Sequence, residues 1–340
     1  MKLQEVNYLR AFAILSIVVW HCLVCPLAVW DLIEPTTSTK MVYALSRFII
    51  PNANMPLFTF ISGYLFAYLY QNNTEKYGYF KPFLKAKVER LVIPFLILGT
   101  LVNITVPERD LSMIINGEGS HLWFCMMLFW CFMFRWAVLK VNKKFVSASV
   151  LLLSIVAIIY SKGSNWNLPE FPYSLFGVRH AVFFYFYFIL GDWIYSNKEK
   201  INLWMNNKDK KSWIILFIIS TIYIAWVLGS MLKIKYISSA LTISCSLFFI
   251  VLLYLWVSKL ISCHILKPNK FIDTLCVYSF GIYVFHEWLS WGLYHQPFFF
   301  NLFEQYTIAY AFVFTIVDFA VSFILTHYAL KTKVGKYLLL

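Results

Sequence analysis

An arginine and a histidine lie on the first apolar stretch of the chain and are the residues best suited to chemistry. Arg10 and His21 stand eleven positions apart within residues 7–21, which are otherwise almost entirely apolar. On an α-helix, eleven residues make about three turns with roughly 20° left over, so both side chains point to one face, about 16 Å apart. A bilayer crossing takes about 20 residues, which places His21 about halfway across. An ionisable residue at that depth is costly and therefore indicates a functional site.

The two residue types suit proton transfer and anion binding. A neutral imidazole can take a proton from a hydroxyl near neutral pH. A guanidinium stays charged and offers a fork of donors that fits phosphate or carboxylate. This pair suits a long anionic donor such as acyl-coenzyme A, with phosphates near Arg10, Lys85, Lys87 and Arg90 and the thioester close to His21. A proton-coupled transporter could also use a buried histidine and arginine.

The composition predicts the fold class. Of the 340 residues, 61% are hydrophobic and only 13% are charged, whereas a soluble domain has about 25% charged residues. The apolar residues come in long blocks, which predicts an all-α polytopic membrane protein with one transmembrane domain over residues 1–340 and no separate soluble domain. The ten predicted spans are residues 8–28, 53–71, 88–105, 121–139, 145–161, 178–196, 212–231, 236–257, 272–294 and 306–329.

The formal net charge of +13 reflects membrane topology rather than a nucleic-acid partner. With ten spans and the N-terminus inside, the cytoplasmic segments hold roughly three times as many lysines and arginines as the outer ones, which is the positive-inside pattern. Both termini are therefore expected in the cytoplasm. The first span contains Arg10 and lacks a clear cleavage site, so an uncleaved helix is expected.

Other polar residues within the apolar segments are weaker candidates for the site. His286 and Glu287 fall at a similar depth in the ninth predicted span but point about 100° apart on a helix, so one of them at most is expected to face the cavity of the first-span histidine. Ser62, followed by a glycine, is as consistent with close helix packing as with function. Asp318, near mid-depth, is expected to pair with another buried polar group. No metal site is predicted, because the cysteines nearest the histidine lack a second pair of ligands.

Several stretches, in the right order from residue 5 to about residue 330, resemble the acyltransferase-3 family of integral-membrane O-acyltransferases. They are the Arg10-x10-His21 pair and the segments 55–65 (MPLFTFISGYL), 87–94 (KVERLVIP), 121–124 (HLWF), 186–191 (FYFILG) and 280–286 (FGIYVFH). The resemblance implies that His21 is the catalytic histidine and Arg10 its partner in donor binding. The family's basic motif has arginine at both ends of a four-residue unit. Here Lys87 replaces the first arginine, which keeps the charge but loses the planar fork.

The resemblance implies a multi-pass O-acyltransferase of the cytoplasmic (inner) membrane. It would move an acyl group, most simply acetyl, from cytoplasmic acyl-coenzyme A to a sugar hydroxyl of a surface polysaccharide or its lipid-linked precursor. Acyl-coenzyme A would be a co-substrate, and no permanently bound cofactor is expected. His21 would act as a general base or carry the acyl group covalently. The alternatives are a transporter or flippase for a lipid-linked glycan and a structural membrane subunit. Some relatives carry an extra esterase-like domain, and this chain is expected to act without one.

Overall fold

The structure is a computed structural model that describes residues 3–24, 54–105, 112–117, 120–141, 148–152, 155, 175–205, 210–232 and 238–340. Regular structure within these ranges is helical throughout, and no strand occurs in them. The predicted all-α class is therefore confirmed. Helices are the expected answer to long apolar runs, because in lipid each backbone N–H and C=O must find its partner within the segment.

Fourteen α-helices lie within the described residues. In chain order they are α1 (Gln4–Val19), α2 (Met55–Asn72), α3 (Thr74–Tyr77), α4 (Phe80–Lys87), α5 (Ile93–Thr105), α6 (Ser112–Ile115), α7 (Trp123–Val141), α8 (Val178–Ser196), α9 (Lys198–Met205), α10 (Lys210–Leu232), α11 (Ser238–Ser262), α12 (Lys270–Tyr294), α13 (Pro297–Ala329) and α14 (Lys333–Leu339). Two π-helical turns continue α1 and α4, at Trp20–Val24 and Val88–Val92. Short 3-10 turns precede α7 and α8, at Ser120–Leu122 and Leu175–Gly177.

Long apolar helices identify a membrane protein. Within the described residues, five helical runs are long and apolar enough to cross a bilayer, and they are Gln4–Leu23, Phe80–Thr105, Trp123–Val141, Cys245–Ser262 and Pro297–Ala329. Four further predicted spans coincide with α2, α8, α10 and α12. Most of the predicted span 145–161 lies outside the described residues. The number of ten crossings and the cytoplasmic location of the termini stay predictions.

The helices group into two compact units. The terminal unit comprises Met1–Met55 and Leu266–Leu340, and thus contains α1, α12, α13 and α14. The middle unit comprises Pro56–Ile265. In the terminal unit, Asn269 caps α12 by accepting hydrogen bonds from two backbone amides of its first turn, and Pro297 begins α13, where its missing N–H costs nothing. The Asn269 cap and Pro297 thus fix where the two helices that pack against α1 begin.

Two glycines bring α2 and α8 into backbone contact in the middle unit. A Cβ on Gly63 would clash with the carbonyl of Phe188, and a Cβ on Gly191 would clash with the carbonyl of Phe60. Small residues at a helix crossing allow this approach, which maximises packing where lipid provides no hydrophobic driving force. The glycine after Ser62 is thus a packing point.

We expect Gly63→Ala to lower the free energy of unfolding by about 1–3 kcal/mol, because the added methyl group overpacks the crossing. Gly292→Ala is the matched control, since Gly292 is helical and has nothing within 4 Å of a built Cβ. Alanine there should be neutral or stabilising. Thermal unfolding of the purified proteins in detergent measures both effects, and equal melting temperatures would contradict this account of the crossing.

Candidate functional site

Helix α1 and helix α12 are joined by polar side chains spaced along their contact in the terminal unit. The three pairs are Asn7 with Asp273 (2.8 Å), Arg10 with Cys276 (3.5 Å) and His21 with His286 (3.1 Å). Arg10 and His21 therefore contact the same helix, as their eleven-residue step predicts. The two helices run in the same direction, because the partner's number rises with that of the α1 residue.

The spacing of these pairs shows the effect of the π-helical turn. The partners differ by 266 positions at the first two pairs but by 265 at the histidines. From Arg10 to His21 is a step of eleven residues, whereas their partners Cys276 and His286 are ten residues apart on α12. A π-turn carries one extra residue relative to an α-helix, and the turn at Trp20–Val24 contains His21. Such turns occur frequently at functional sites.

The two imidazoles form a buried pair. His286 Nε2 lies 3.1 Å from His21 Nδ1, and the ring planes stand at 78° with their centroids 4.6 Å apart. His21 is 8% exposed and His286 is fully buried. Two titratable rings in direct contact within an apolar bundle are the kind of group that marks a functional site in a membrane protein.

Backbone carbonyls fix the tautomer of each ring. His21 Nδ1 lies 3.0 Å from the carbonyl of Ile17, and His286 Nδ1 lies 3.1 Å from the carbonyl of Ile282. A carbonyl only accepts, so each neutral ring carries its proton on Nδ1. His21 Nδ1–H can then also donate to the lone pair of His286 Nε2. The nitrogen of His21 that is left unprotonated, and so able to act as a base, is Nε2.

Arg10 is held by a short polar chain. Its Nη1 donates to Cys276 Sγ (3.5 Å), and that thiol donates to Asn7 Oδ1 (3.3 Å). The Asn7 amide in turn donates to Asp273 (2.8 Å). Among the described residues Arg10 makes no ion pair, and its side chain is half-buried. A guanidinium with five donors and one thiol contact retains the capacity to bind an anion bidentately.

A buried polar cluster connects the turn that contains His21 to α13. Cys22 Sγ donates to Asp318 Oδ2 at 3.3 Å, and Ser322 Oγ donates to Asp318 Oδ1 at 3.2 Å. Tyr294 donates its hydroxyl to the carbonyl of Cys22 at 2.6 Å. The expectation that Asp318 pairs with another buried polar group is confirmed. The sequence alone did not indicate that Cys22 or Tyr294 takes part in such a cluster, because a cysteine or tyrosine in an apolar helix resembles ordinary core.

Glu287 and Ser62 occupy different surroundings. Glu287 is buried on α12 beside His286. Ser62, in the middle unit, donates its hydroxyl to the carbonyl of Phe58 one turn earlier at 2.8 Å. That bond within its own helix is the usual way to satisfy a hydroxyl in an apolar segment.

The predicted donor-binding cations Lys85, Lys87 and Arg90 belong to the middle unit and differ in environment. Lys85 is exposed and pairs loosely with Glu89, at 3.9 Å. Arg90 is exposed on the second π-helical turn. Lys87 is only 7% exposed, and its ammonium stands 3.4 Å from the centre of the Phe132 ring.

Two further rings complete the surroundings of the Lys87 ammonium. The rings of Tyr77 and Phe83 lie 5.3 and 5.8 Å from it. Aromatic faces stabilise a cation by their quadrupole. The charge of Lys87 is therefore already engaged within the bundle.

A largely buried ion pair joins α7 and α8 in the middle unit. Arg135 donates to both carboxylate oxygens of Asp192, at 2.7 and 3.1 Å, and both side chains are largely buried. This bidentate geometry satisfies two charges that an apolar bundle would otherwise exclude. Within the described residues, no group of three or more histidine, cysteine or acidic side chains is arranged to hold a metal ion.

Comparison with known proteins identifies the class. The family model described as an acyltransferase domain matches residues 3–327, which is nearly the whole chain. Together with the apolar helices, this match makes the protein a membrane acyltransferase. The chain belongs to the acyltransferase-3 family. Neither a curated protein nor a solved structure matches it.

We expect ¹⁵N NMR of histidine-labelled protein in lipid, above the pH at which the imidazoles protonate, to show His21 and His286 both as the Nδ1–H tautomer. The reason is that each Nδ1 faces a carbonyl, which requires a donor. The variants His21→Ala and His286→Ala assign the two signals. An Nε2–H tautomer at either ring would contradict the proton positions given above.

Proposed function

We propose that the protein transfers an acyl group, most simply acetyl, from cytoplasmic acyl-coenzyme A to a hydroxyl of a surface polysaccharide or its lipid-linked precursor. The observation that supports this best is the buried His21–His286 contact in a chain of the acyltransferase-3 family. The proposed setting is the cytoplasmic (inner) membrane, with both termini in the cytoplasm.

In the proposed reaction, Nε2 of His21 removes the proton of the acceptor hydroxyl while its oxygen attacks the thioester carbonyl. The tetrahedral intermediate then collapses, the bond from carbon to sulfur breaks, and the proton on Nε2 passes to the departing coenzyme A thiolate. General base catalysis of this kind contributes about 10²–10⁴ in rate. A covalent route would use the same nitrogen as nucleophile, forming an acyl-imidazole as the carbon–sulfur bond breaks and the coenzyme A thiolate leaves. The acceptor hydroxyl would then attack the acyl group, displace the imidazole and give up its proton to the thiolate.

His286 supports either route as the partner of His21. When His21 becomes an imidazolium, its Nδ1–H donates more strongly, and the carbonyl of Ile17 and the lone pair of His286 Nε2 lie 3.0 and 3.1 Å away to accept. Stabilisation that grows as charge develops lowers the barrier, whereas equal binding of all states does not.

Arg10 is the proposed contact for the donor's phosphates. Its charge is permanent, and the ion pairs found among the described residues, Lys85–Glu89 and Arg135–Asp192, do not involve it. Lys85 and Arg90 are exposed and thus available to an anion, whereas the ammonium of Lys87 faces aromatic rings. We therefore assign Lys87 a weaker part in donor binding than Arg90.

We expect His21→Ala to abolish measurable acyl transfer to the acceptor, while the protein still accumulates in the membrane. His295→Ala is the matched control, because His295 is an exposed imidazole of the same unit, and it should retain activity. Incubating membranes with radiolabelled acetyl-coenzyme A and counting label in isolated glycan measures both. Normal labelling by the His21 variant would refute its catalytic assignment.

Arg10→Lys should raise the KM for acyl-coenzyme A about 10- to 100-fold with a smaller change in kcat. Lysine keeps the charge but loses the fork, and hydrogen bonds to charged groups contribute about 1.5–3 kcal/mol. Initial rates at varied donor concentration separate the two constants. A fall in kcat alone, at an unchanged donor KM, would place Arg10 outside the donor site.

A further inference from the structure

The residue after His21 is anchored by both neighbouring helices. Cys22 is fully buried, and its thiol donates to the carboxylate of Asp318 on α13. Its backbone carbonyl accepts the hydroxyl proton of Tyr294, the last residue of α12. His21 contacts α12, and the Cys22 side chain contacts α13. These two consecutive residues therefore hold the rotation of the π-helical turn from two helices.

The anchoring occurs where the backbone needs it. A π-helical turn replaces bonds between residues four apart with bonds between residues five apart, so it interrupts the regular ladder and exposes carbonyl groups that require other partners. Cys22 belongs to the turn Trp20–Val24, and the 2.6 Å bond from Tyr294 satisfies its carbonyl. If this turn were α-helical and lacked the extra residue, His21 would no longer lie opposite His286.

In the described part of the chain, the Asp318 carboxyl group contacts only its own helix and the residue next to His21. It is fully buried, and its hydrogen-bond partners in the described part of the chain are the Cys22 thiol and the Ser322 hydroxyl. An acidic side chain within an apolar helix is expensive to keep. An interaction that sets the position of the residue beside the proposed base accounts for its presence.

We propose that Cys22, Asp318 and Tyr294 are positioning residues that hold the Trp20–Val24 turn so that His21 meets His286. This inference rests on the proposed function of His21. None of the three residues touches substrate in this scheme. They act through the orientation of His21 alone, so their loss should lower kcat and leave donor binding unchanged.

The test compares Cys22→Ala, Cys22→Ser and Tyr294→Phe. We expect Cys22→Ala and Tyr294→Phe each to lower kcat by about 10²-fold, the cost of misplacing a catalytic group by about 1 Å, at the donor KM of the unsubstituted protein. Cys22→Ser should recover most of the rate, because a hydroxyl also donates to Asp318. Ser322→Ala is the matched control. It removes the other donor to the same carboxylate without touching the turn, so it should leave kcat close to that of the unsubstituted protein.

A double-mutant cycle of Cys22→Ala with Asp318→Ala tests whether the two residues act through one bond. If they do, the double variant is no slower than the slower single variant. Effects on kcat that multiply would overturn the proposal.

A measurement that needs no catalysis separates the positioning role of Cys22, Asp318 and Tyr294 from the proposed function of His21. In Tyr294→Phe, ¹⁵N NMR of labelled histidines should show the bond from His21 Nδ1–H to His286 weakened or lost, in protein whose melting temperature shows it folded. An unchanged signal and unchanged kcat would overturn the inference while leaving the role of His21 intact. Full activity of His21→Ala would instead overturn the proposed function.

Discussion

The contact between two imidazoles in an apolar interior is the constraint on which the terminal unit depends. A polar group removed from water costs free energy unless a hydrogen bond compensates it, and both rings are nearly or fully buried. Each Nδ1 therefore faces a carbonyl of its own helical run, and the rings meet where His286 Nε2 approaches that same Nδ1 of His21. Helices α1 and α12 are thereby held at one register, because a shift of one residue would leave every polar pair unmatched.

The extra residue of the π-helical turn places His21 opposite His286. Asn7 and Arg10 set the alignment near the N-terminal ends of the two helices. The turn then adds one residue before the histidines meet. Local irregularity of this kind survives only where surrounding groups over-determine it, and the bonds to Cys22 from α12 and α13 supply that determination.

The middle unit solves the same problem of polar groups among apolar ones by different means. Arg135 and Asp192 neutralise each other through two hydrogen bonds, Lys87 is placed among aromatic faces, and Gly63 allows backbones to touch. These devices stabilise the bundle. Of the predicted donor-binding cations, they leave Arg90 and Lys85 exposed, which is the property that an anion-binding residue requires.

The helical class and the shared face of Arg10 and His21 could be predicted from the amino-acid order, because apolar block length and helical period are local properties of the chain. The sequence also indicated that Asp318 needs a buried partner. The partner of each polar group, by contrast, depends on how the helices pack. Nothing in the sequence distinguishes Lys85 from Lys87. Lys85 is nevertheless exposed, whereas the ammonium of Lys87 is buried against aromatic rings, because burial depends on what packs against each face of the helix. The same holds for His286, which is 265 positions from His21, because a hydrogen bond between distant residues is set by helix register and not by spacing along the chain.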